Sequence, residues 1–171
     1  MELCTVINRL LHEDVAGQQR SLSLRTFAVT PLSDRCGIIE WVNNTTGIRM
    51  LIRESYISVG LPSPTAIISP RRDDYEMIQK RSATQEIKVR KYRSNILKHF
   101  PRLMHRWFMR STANPTEWFN KRQVFARSSA VWSIVGYFLG LGDRHGENIM
   151  CDKKTGQCVH VDFDCLFDKG Q

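Results

Sequence analysis

Gly140-Leu141-Gly142-Asp143-Arg144-His145-Gly146-Glu147-Asn148-Ile149-Met150, followed shortly by His160-Val161-Asp162-Phe163-Asp164, is the stretch that decides the fold. It sets an Asp and an Asn in D-x-x-x-x-N spacing and a second Asp behind a short apolar strand. Asp143 supplies a carboxylate able to orient a hydroxyl and accept its proton. Asn148 and Asp162 are oxygen donors of the kind a hard cation such as Mg²⁺ takes while it also binds phosphate. Phosphoryl transfer from ATP needs such a set, because its catalysis is mostly positioning and charge stabilisation.

Taken singly, each element has a plainer reading. Asp or Asn beside Gly is usually turn chemistry, since both tolerate unusual backbone angles and cap nearby amides. His145 alone could be a core histidine bonded to a carbonyl. The ensemble argues otherwise. The polar groups lie between apolar segments at residues 131–141 and 159–163, and a reaction centre needs such rigid supports.

Protein kinases carry H-R-D-x-x-x-x-N followed by D-F-G. Here the His follows the Asp, and Asp162-Phe163-Asp164 replaces Asp-Phe-Gly, which points to an atypical branch. The block 140–150, together with Val159-His160-Val161-Asp162-Phe163-Asp164-Cys165-Leu166-Phe167-Asp168-Lys169-Gly170, resembles the phosphatidylinositol 3-kinase-like protein kinases. Leu24-Arg25-Thr26-Phe27-Ala28-Val29-Thr30-Pro31-Leu32 and Cys36-Gly37-Ile38-Ile39-Glu40-Trp41-Val42-Asn43-Asn44-Thr45 look most like the ATR checkpoint-kinase subgroup. The likeness runs over nearly the whole chain and is weakest over residues 51–91.

The resemblance implies an α+β, two-lobed, protein-kinase-like fold of the PI3/PI4-kinase type. Residues 1–43 would be part of the small lobe, with a helix, two strands and the hinge. Residues 44–171 would be the helical large lobe, cut within the activation loop. It implies a Ser/Thr protein kinase using ATP and Mg²⁺ on Ser or Thr followed by Gln, in the nucleus, in DNA-damage checkpoint signalling with regulatory partner proteins. Asp143 would be the catalytic base or hydroxyl orienter, and His145 would face the transferring phosphate. Asn148 and Asp162 would bind the metal. Trp41 would pack on adenine, with the Glu40 carbonyl and Val42 amide on the base edge. Arg144 is expected to hold the loop together, and Asp164 either binds metal or caps the loop.

The sequence has no Gly-rich phosphate loop and no strand Lys for the phosphates. The resemblance places both upstream, so the chain is expected to be an internal portion of a catalytic domain, inactive alone and with apolar surface uncovered. A phosphoinositide kinase shares Asp-Arg-His-x-x-Asn. It would usually have Asp-Phe-Gly and then a basic loop, where residues 164–168 are acidic and apolar. A non-catalytic scaffold or truncated product is the third reading.

The bulk properties agree with an intracellular protein. With 171 residues, 42% hydrophobic and 25% charged, one domain with a real core is expected. Glu2 and His12-Glu13-Asp14 break any secretory signal, and the apolar run 130–141 is far shorter than the roughly 20 residues a bilayer needs. Five cysteines without a C-x-x-C pair argue against a zinc site or a disulfide framework, and for a reducing compartment, cytosol or nucleus. The formal charge is +8, with Lys88, Arg90, Lys91, Arg93, Lys98, Arg102, Arg106 and Arg110 uninterrupted by acid. No base-reading motif accompanies them, so a solvated helix face is favoured over direct nucleic-acid binding.

Locally, residues 2–12 read as an amphipathic helix and 13–21 as a polar loop. Residues 22–30 and 36–42 read as strands, and 60–70, with three prolines, as a loop. A long helix is expected over 73–99, short ones over 102–110 and from Asn114, and the most apolar one over 124–139. A hairpin should join 148–151 to 157–163 across Asp152-Lys153-Lys154-Thr155-Gly156.

Overall fold

The computed structural model describes residues 1–80 and 83–167. They form two compact units, one of residues 1–50 with the described residues from 108 onward, the other within Leu51–Trp107.

In the first unit, α1 (Glu2–Glu13) turns Cys4, Ile7 and Leu11 to the core. The polar loop expected after it is instead a second short helix, α2 (Val15–Gln19), because the Asp14 carboxylate accepts the Gly17 amide at 2.7 Å as its N-cap. A Cβ on Gly17 would lie 2.2 Å from the Leu11 carbonyl oxygen, so only glycine fits there.

The strand expected over 22–30 is mostly unpaired with other strands. Only β1 (Val29–Pro31) forms a ladder, antiparallel to β2 (Gly37–Ile39). Upstream, the Asn8 side chain does what a neighbouring strand would do: its Oδ1 accepts the Leu24 amide at 2.7 Å and its Nδ2 donates to the Leu24 carbonyl at 2.8 Å. That double bond buries Leu24 against α1 without a sheet. Val29, Ile38 and Ile39 on the hairpin are exposed, in line with the uncovered apolar surface expected.

A third strand, β3 (Thr45–Gly47), lies where no strand was expected and leads into α3 (Ile48–Ile57). It pairs antiparallel with β4 (Ile149–Asp152), which pairs with β5 (Cys158–His160), giving the order β3-β4-β5. The hairpin over residues 152–156 is as expected; Gly156 closes it with φ +79.

Helix α8 (Pro115–Phe138) merges the two helices expected over its length. Asn114 caps its start, accepting the Glu117 amide at 2.9 Å, with Pro115 in the first turn. Lys121 and Arg122 do not interrupt it: Lys121 is buried, its Nζ donating to the Ser111 carbonyl at 3.0 Å. Gly140, at φ +56, ends the helix as the Leu141 amide returns to the Gly136 carbonyl at 2.8 Å. Val131, Trp132 and Val135 pack with Cys4, Leu24 and Cys158 to form the core under β5.

The second unit is helical. Pro64 sits in the first turn of α4 (Pro64–Ile68) behind a Ser63 N-cap, so the proline-rich stretch starts a helix where a loop was expected. The helix expected over 73–99 is divided into α5 (Arg72–Gln79), α6 (Gln85–Lys91), a π-turn (Tyr92–Ile96) and a 3₁₀ turn (Leu97–His99). Arg81 and Ser82, which that expectation also covered, lie outside the described residues. Helix α7 (Met104–Arg110) falls where a short helix was expected. Among the described residues no helix is long and apolar enough to cross a membrane.

Candidate active site

Two turns, one after α8 and one after β5, carry the polar set. Asp143 has φ +52 and Asp162 φ +60, left-handed angles that non-glycine residues rarely adopt and that cluster at functional sites. Their cost is met by tight local bonding. The Asn148 amide donates to the His145 carbonyl at 3.0 Å, and the Val161 amide to the Asn148 carbonyl at 3.0 Å. The Gly142 amide reaches the Cys165 carbonyl at 2.9 Å.

Arg144 stitches the turns together, as expected. Its guanidinium donates to the Gly142 carbonyl at 2.7 Å, the Val161 carbonyl at 2.7 Å and the Asp162 carbonyl. Burial pushes its pKa down, while the Asp162 and Asp143 carboxylates work to hold it up. With its donors spent on backbone, Arg144 is a brace between the two motifs.

Buried Asn148 is the meeting point. Its Nδ2 lies 3.1 Å from the Asp143 carbonyl oxygen and 3.5 Å from one carboxylate oxygen of both Asp143 and Asp162. So the Asp, Asn and Asp of the motif stand around one point. His145 lies at its edge. Its Nδ1 accepts the Glu147 amide at 3.2 Å, which puts the neutral ring's proton on Nε2, 3.9 Å from the Asp143 carboxylate. Among the described residues no carbonyl accepts from it, and its side chain is 39% exposed.

Glu40, Trp41 and Val42 lie with Asp162, Asp164 and Glu147 on a cleft of about 720 Å³, walled by Phe27, Val29, Ile39, Met150, Val161 and Phe163. Asp143, His145 and Asn148 are not on its lining; they join it through the Asn148–Asp162 approach. Trp41 is 81% exposed. The Glu40 side chain accepts the Ala28 amide at 2.8 Å, taking the donor that a continued β1–β2 ladder would give to the Glu40 carbonyl. Among the described residues, the Glu40 carbonyl and the Val42 amide have no partner, leaving an acceptor and a donor on the cleft. A second groove, of about 670 Å³ and lined by Gln85, Glu86, Val89, Arg90, Arg93 and Ser94 in the other unit, holds none of these groups.

Sequence reasoning passed over Phe27, Met150 and Phe163 as cleft walls. Met150 and Phe163 flank the motif residues, a signal that was available. Phe27 approaches only through the tertiary fold, its ring 6.3 Å from that of Phe163.

An α+β chain with this paired-Asp turn geometry beside a cleft belongs to the phosphatidylinositol 3- and 4-kinase family, whose model matches residues 1–171. Its similarity to protein kinases within that family is specific. It is 42% identical over 170 residues to serine/threonine-protein kinase ATR of Oryza sativa subsp. indica and of Arabidopsis thaliana, and 41% identical to protein kinase rad3 of Schizosaccharomyces pombe. These matches cover 99% of the chain but only 6–7% of those proteins. Among solved structures, the FAT and kinase domain of CtTel1 superposes with a TM-score of 0.80 at 31% identity, over 96% of this chain and 11% of that one.

Proposed function

We infer that this chain is the part of a Ser/Thr protein kinase catalytic domain that holds the adenine and positions the acceptor hydroxyl. The observation that carries the reading is the approach of the Asp143 and Asp162 carboxylates to within 3.5 Å of the Asn148 side-chain amide, beside a cleft that Trp41 lines. Residues 1–43 would be its small-lobe portion and 44–171 its large-lobe portion. Adenine would stack on Trp41 and bond to the Glu40 carbonyl and the Val42 amide.

Mg²⁺ fits the donor set as a shared ligand with phosphate. Asn148 and Asp162, whose side chains approach to 3.5 Å, would hold it together with phosphate oxygens. When bound, Mg²⁺ neutralises charge on the phosphates.

Asp143 would accept the hydroxyl proton of Ser or Thr as its oxygen bonds to the γ-phosphorus and the bond to ADP breaks. An Asp is a weak base, so its contribution lies in orientation and late proton acceptance. The Nε2–H of His145 would offset charge on the equatorial oxygens. The ATR-type similarity supports protein substrates with Gln after the Ser or Thr, regulatory partner proteins, and a nuclear role in DNA-damage signalling.

The test is transfer from radiolabelled ATP, by the kinase that contains this chain, to a Ser-Gln peptide, a Ser-Ala peptide and phosphatidylinositol vesicles. Preference for the Ser-Gln peptide, lost in Asp143→Ala, is expected. Transfer to lipid alone would establish the phosphoinositide kinase reading, and no transfer would leave the scaffold reading.

A further inference from the structure

Arg25 sits in the unpaired stretch before β1, 127 residues from its ion-pair partner, Asp152 at the end of β4. The Asp152 carboxylate is nearly buried, with 6% of its side chain exposed. One of its oxygens accepts the Lys154 and Thr155 amides at 2.7 and 2.9 Å, fixing the hairpin turn. The other faces Nη1 of Arg25. Burial alone would raise this carboxyl; the Thr155 and Lys154 amides and the Arg25 guanidinium outweigh it and hold the pKa low.

The other arm of the guanidinium, Nη2, donates to the Asn43 carbonyl at 3.1 Å. Asn43 directly follows the Glu40-Trp41-Val42 hinge. Beyond it, Asn44 takes a left-handed φ of +61, and its carbonyl accepts the Lys153 amide at 2.8 Å. Thr45 then pairs with Asp152 itself, and its Oγ1 donates to the Val42 carbonyl at 2.7 Å. The hinge and the turn end of the β4–β5 hairpin are thus tied at residues 43, 44 and 45. Arg25 is the side chain that holds both.

The opposite end of β4 begins next to Asn148, and β5 leads to Asp162. The four-residue step from Asp152 to Asn148 spans about 13 Å at strand rise. That is comparable to the reach of an extended ATP from its base to its terminal phosphate. The strand therefore sets the spacing between base and phosphates, provided its turn end is fixed to the hinge.

We propose that Arg25 is a positioning residue that locks the base-binding hinge to the hairpin carrying the phosphate-side ligands, so that both ends of one nucleotide are held in register. It rests on the hinge reading above. Lysine cannot replace it: a single ammonium can keep the charge contact with Asp152 but lacks the planar fork that also reaches Asn43.

The experiment uses the whole chain as wild type, Arg25→Lys and Arg25→Ala. Site-resolved hydrogen exchange is followed at the Lys153 amide and at Val161, whose amide bonds Asn148 on the far side of the hairpin. Binding of a fluorescent ATP analogue with Mg²⁺ is measured alongside. Arg25→Lys should keep the fold and leave Val161 protection unchanged, while exchange at Lys153 rises about tenfold or more as that link opens locally. Analogue affinity should fall by about fivefold or more, within the range of coupling between linked sites. Should Arg25→Ala fail to fold, Arg25→Lys decides. Unchanged Lys153 exchange in Arg25→Lys, or an equal rise at Val161, overturns the proposal, since the arginine would then be a plain charge partner or a global stabiliser. If exchange responds selectively but wild type binds neither the analogue nor adenosine, the tie between residues 43 and 152 stands and the base-binding reading of the hinge is what fails.

Discussion

The indole of Trp132 lies face to face with the imidazole of His160, centroids 4.6 Å apart and planes 8° from parallel. Trp132 is 1% exposed, and its Nε1 donates to the Cys158 carbonyl at 3.2 Å, so one side chain of α8 both supports β5 and fixes its backbone. Burial, with the nearby Arg144 charge, pushes His160 down to about 4, so a neutral ring is stacked here at neutral pH. His160 Nδ1 is buried and has no partner among the described residues.

Trp132→Ala should therefore destabilise the chain by about 3–5 kcal/mol, the usual cost of emptying a large aromatic site. His160→Phe keeps the ring and removes the unpaired nitrogen, so its stability should stay within about 1 kcal/mol of wild type. Urea unfolding of the three proteins checks both. Equal losses for the two variants would show that the imidazole nitrogen contributes what the stacking is said to contribute.

Trp41 presents the reverse case, an aromatic held outside the core. Trp41→Ala should leave the unfolding midpoint unchanged and weaken nucleotide binding by about 1–3 kcal/mol, the typical worth of an aromatic stacked on a base. Calorimetric titration with ADP, paired with thermal unfolding, reads the two effects apart. A large drop in Tm with unchanged affinity would place Trp41 in the structural set.

In the proposed kinase, Asp143→Ala should lower turnover by about 10²–10⁴-fold, the range for a positioned base, with ATP affinity nearly unchanged. Asp162→Ala and Asn148→Ala should instead shift the Mg²⁺ concentration needed for ATP binding, Asp162→Ala the more because it removes a full charge. Titrating Mg²⁺ at fixed ATP separates the two groups. An Asp162→Ala protein with wild-type Mg²⁺ dependence would remove that residue from the metal set.

The cysteines differ by environment. Cys36 is exposed, whereas Cys151 and Cys158 face one another across β4 and β5 in the interior. Burial, with smaller contributions from Cys158 and Asp152, pushes the Cys151 thiol up to about 12, so it is neither ionised nor accessible at neutral pH. Iodoacetamide should label Cys36 quickly, and Cys151 and Cys158 only on unfolding. A raised thiol pKa favours the folded state fully below the unfolded value of 9.0, and that contribution is lost as pH climbs from 9.0 towards about 12. Urea midpoints should accordingly fall between about pH 8 and about pH 10.5 in wild type, and fall less in Cys151→Ala.

The two polar turns were legible because their signal is local. Asp143 and Asn148 lie within one short segment, and Asp162 follows 14 residues after Asn148 across one hairpin, so the side chains that meet are close in sequence. Trp41 stands in a short segment with a recognisable neighbourhood, and it lines the cleft. Partners distant in sequence were not. Asn8 does the work of a strand for Leu24, and no periodicity can announce that one amide side chain will replace a ladder. Arg25 reads as one more surface cation until Asp152 is seen beside it. The prolines at 62, 64 and 70 read as loop signals, yet Pro64 sits in a helix's first turn, where its missing N–H costs nothing. The opposite error joined α5 and α6, whose good helix formers hide the break between them.

β3 and β4 meet across a long stretch of sequence, with Thr45 Oγ1 against Met150 Sδ at a separation of 105 residues. During synthesis at about 5–20 residues per second, β3 therefore leaves the ribosome about 5–20 s before the strand it must pair with exists. Throughout that interval β3 has a bare backbone edge, and Arg25 has no Asp152 to meet. The cleft is thus among the last parts of this chain able to form, and ribosome-bound chains halted before residue 149 should show the Thr45 to Gly47 amides unprotected against exchange. Loss of such a late-closing edge to chaperones or to other chains is a hazard of timing, written into the order in which the two halves of one small sheet are made.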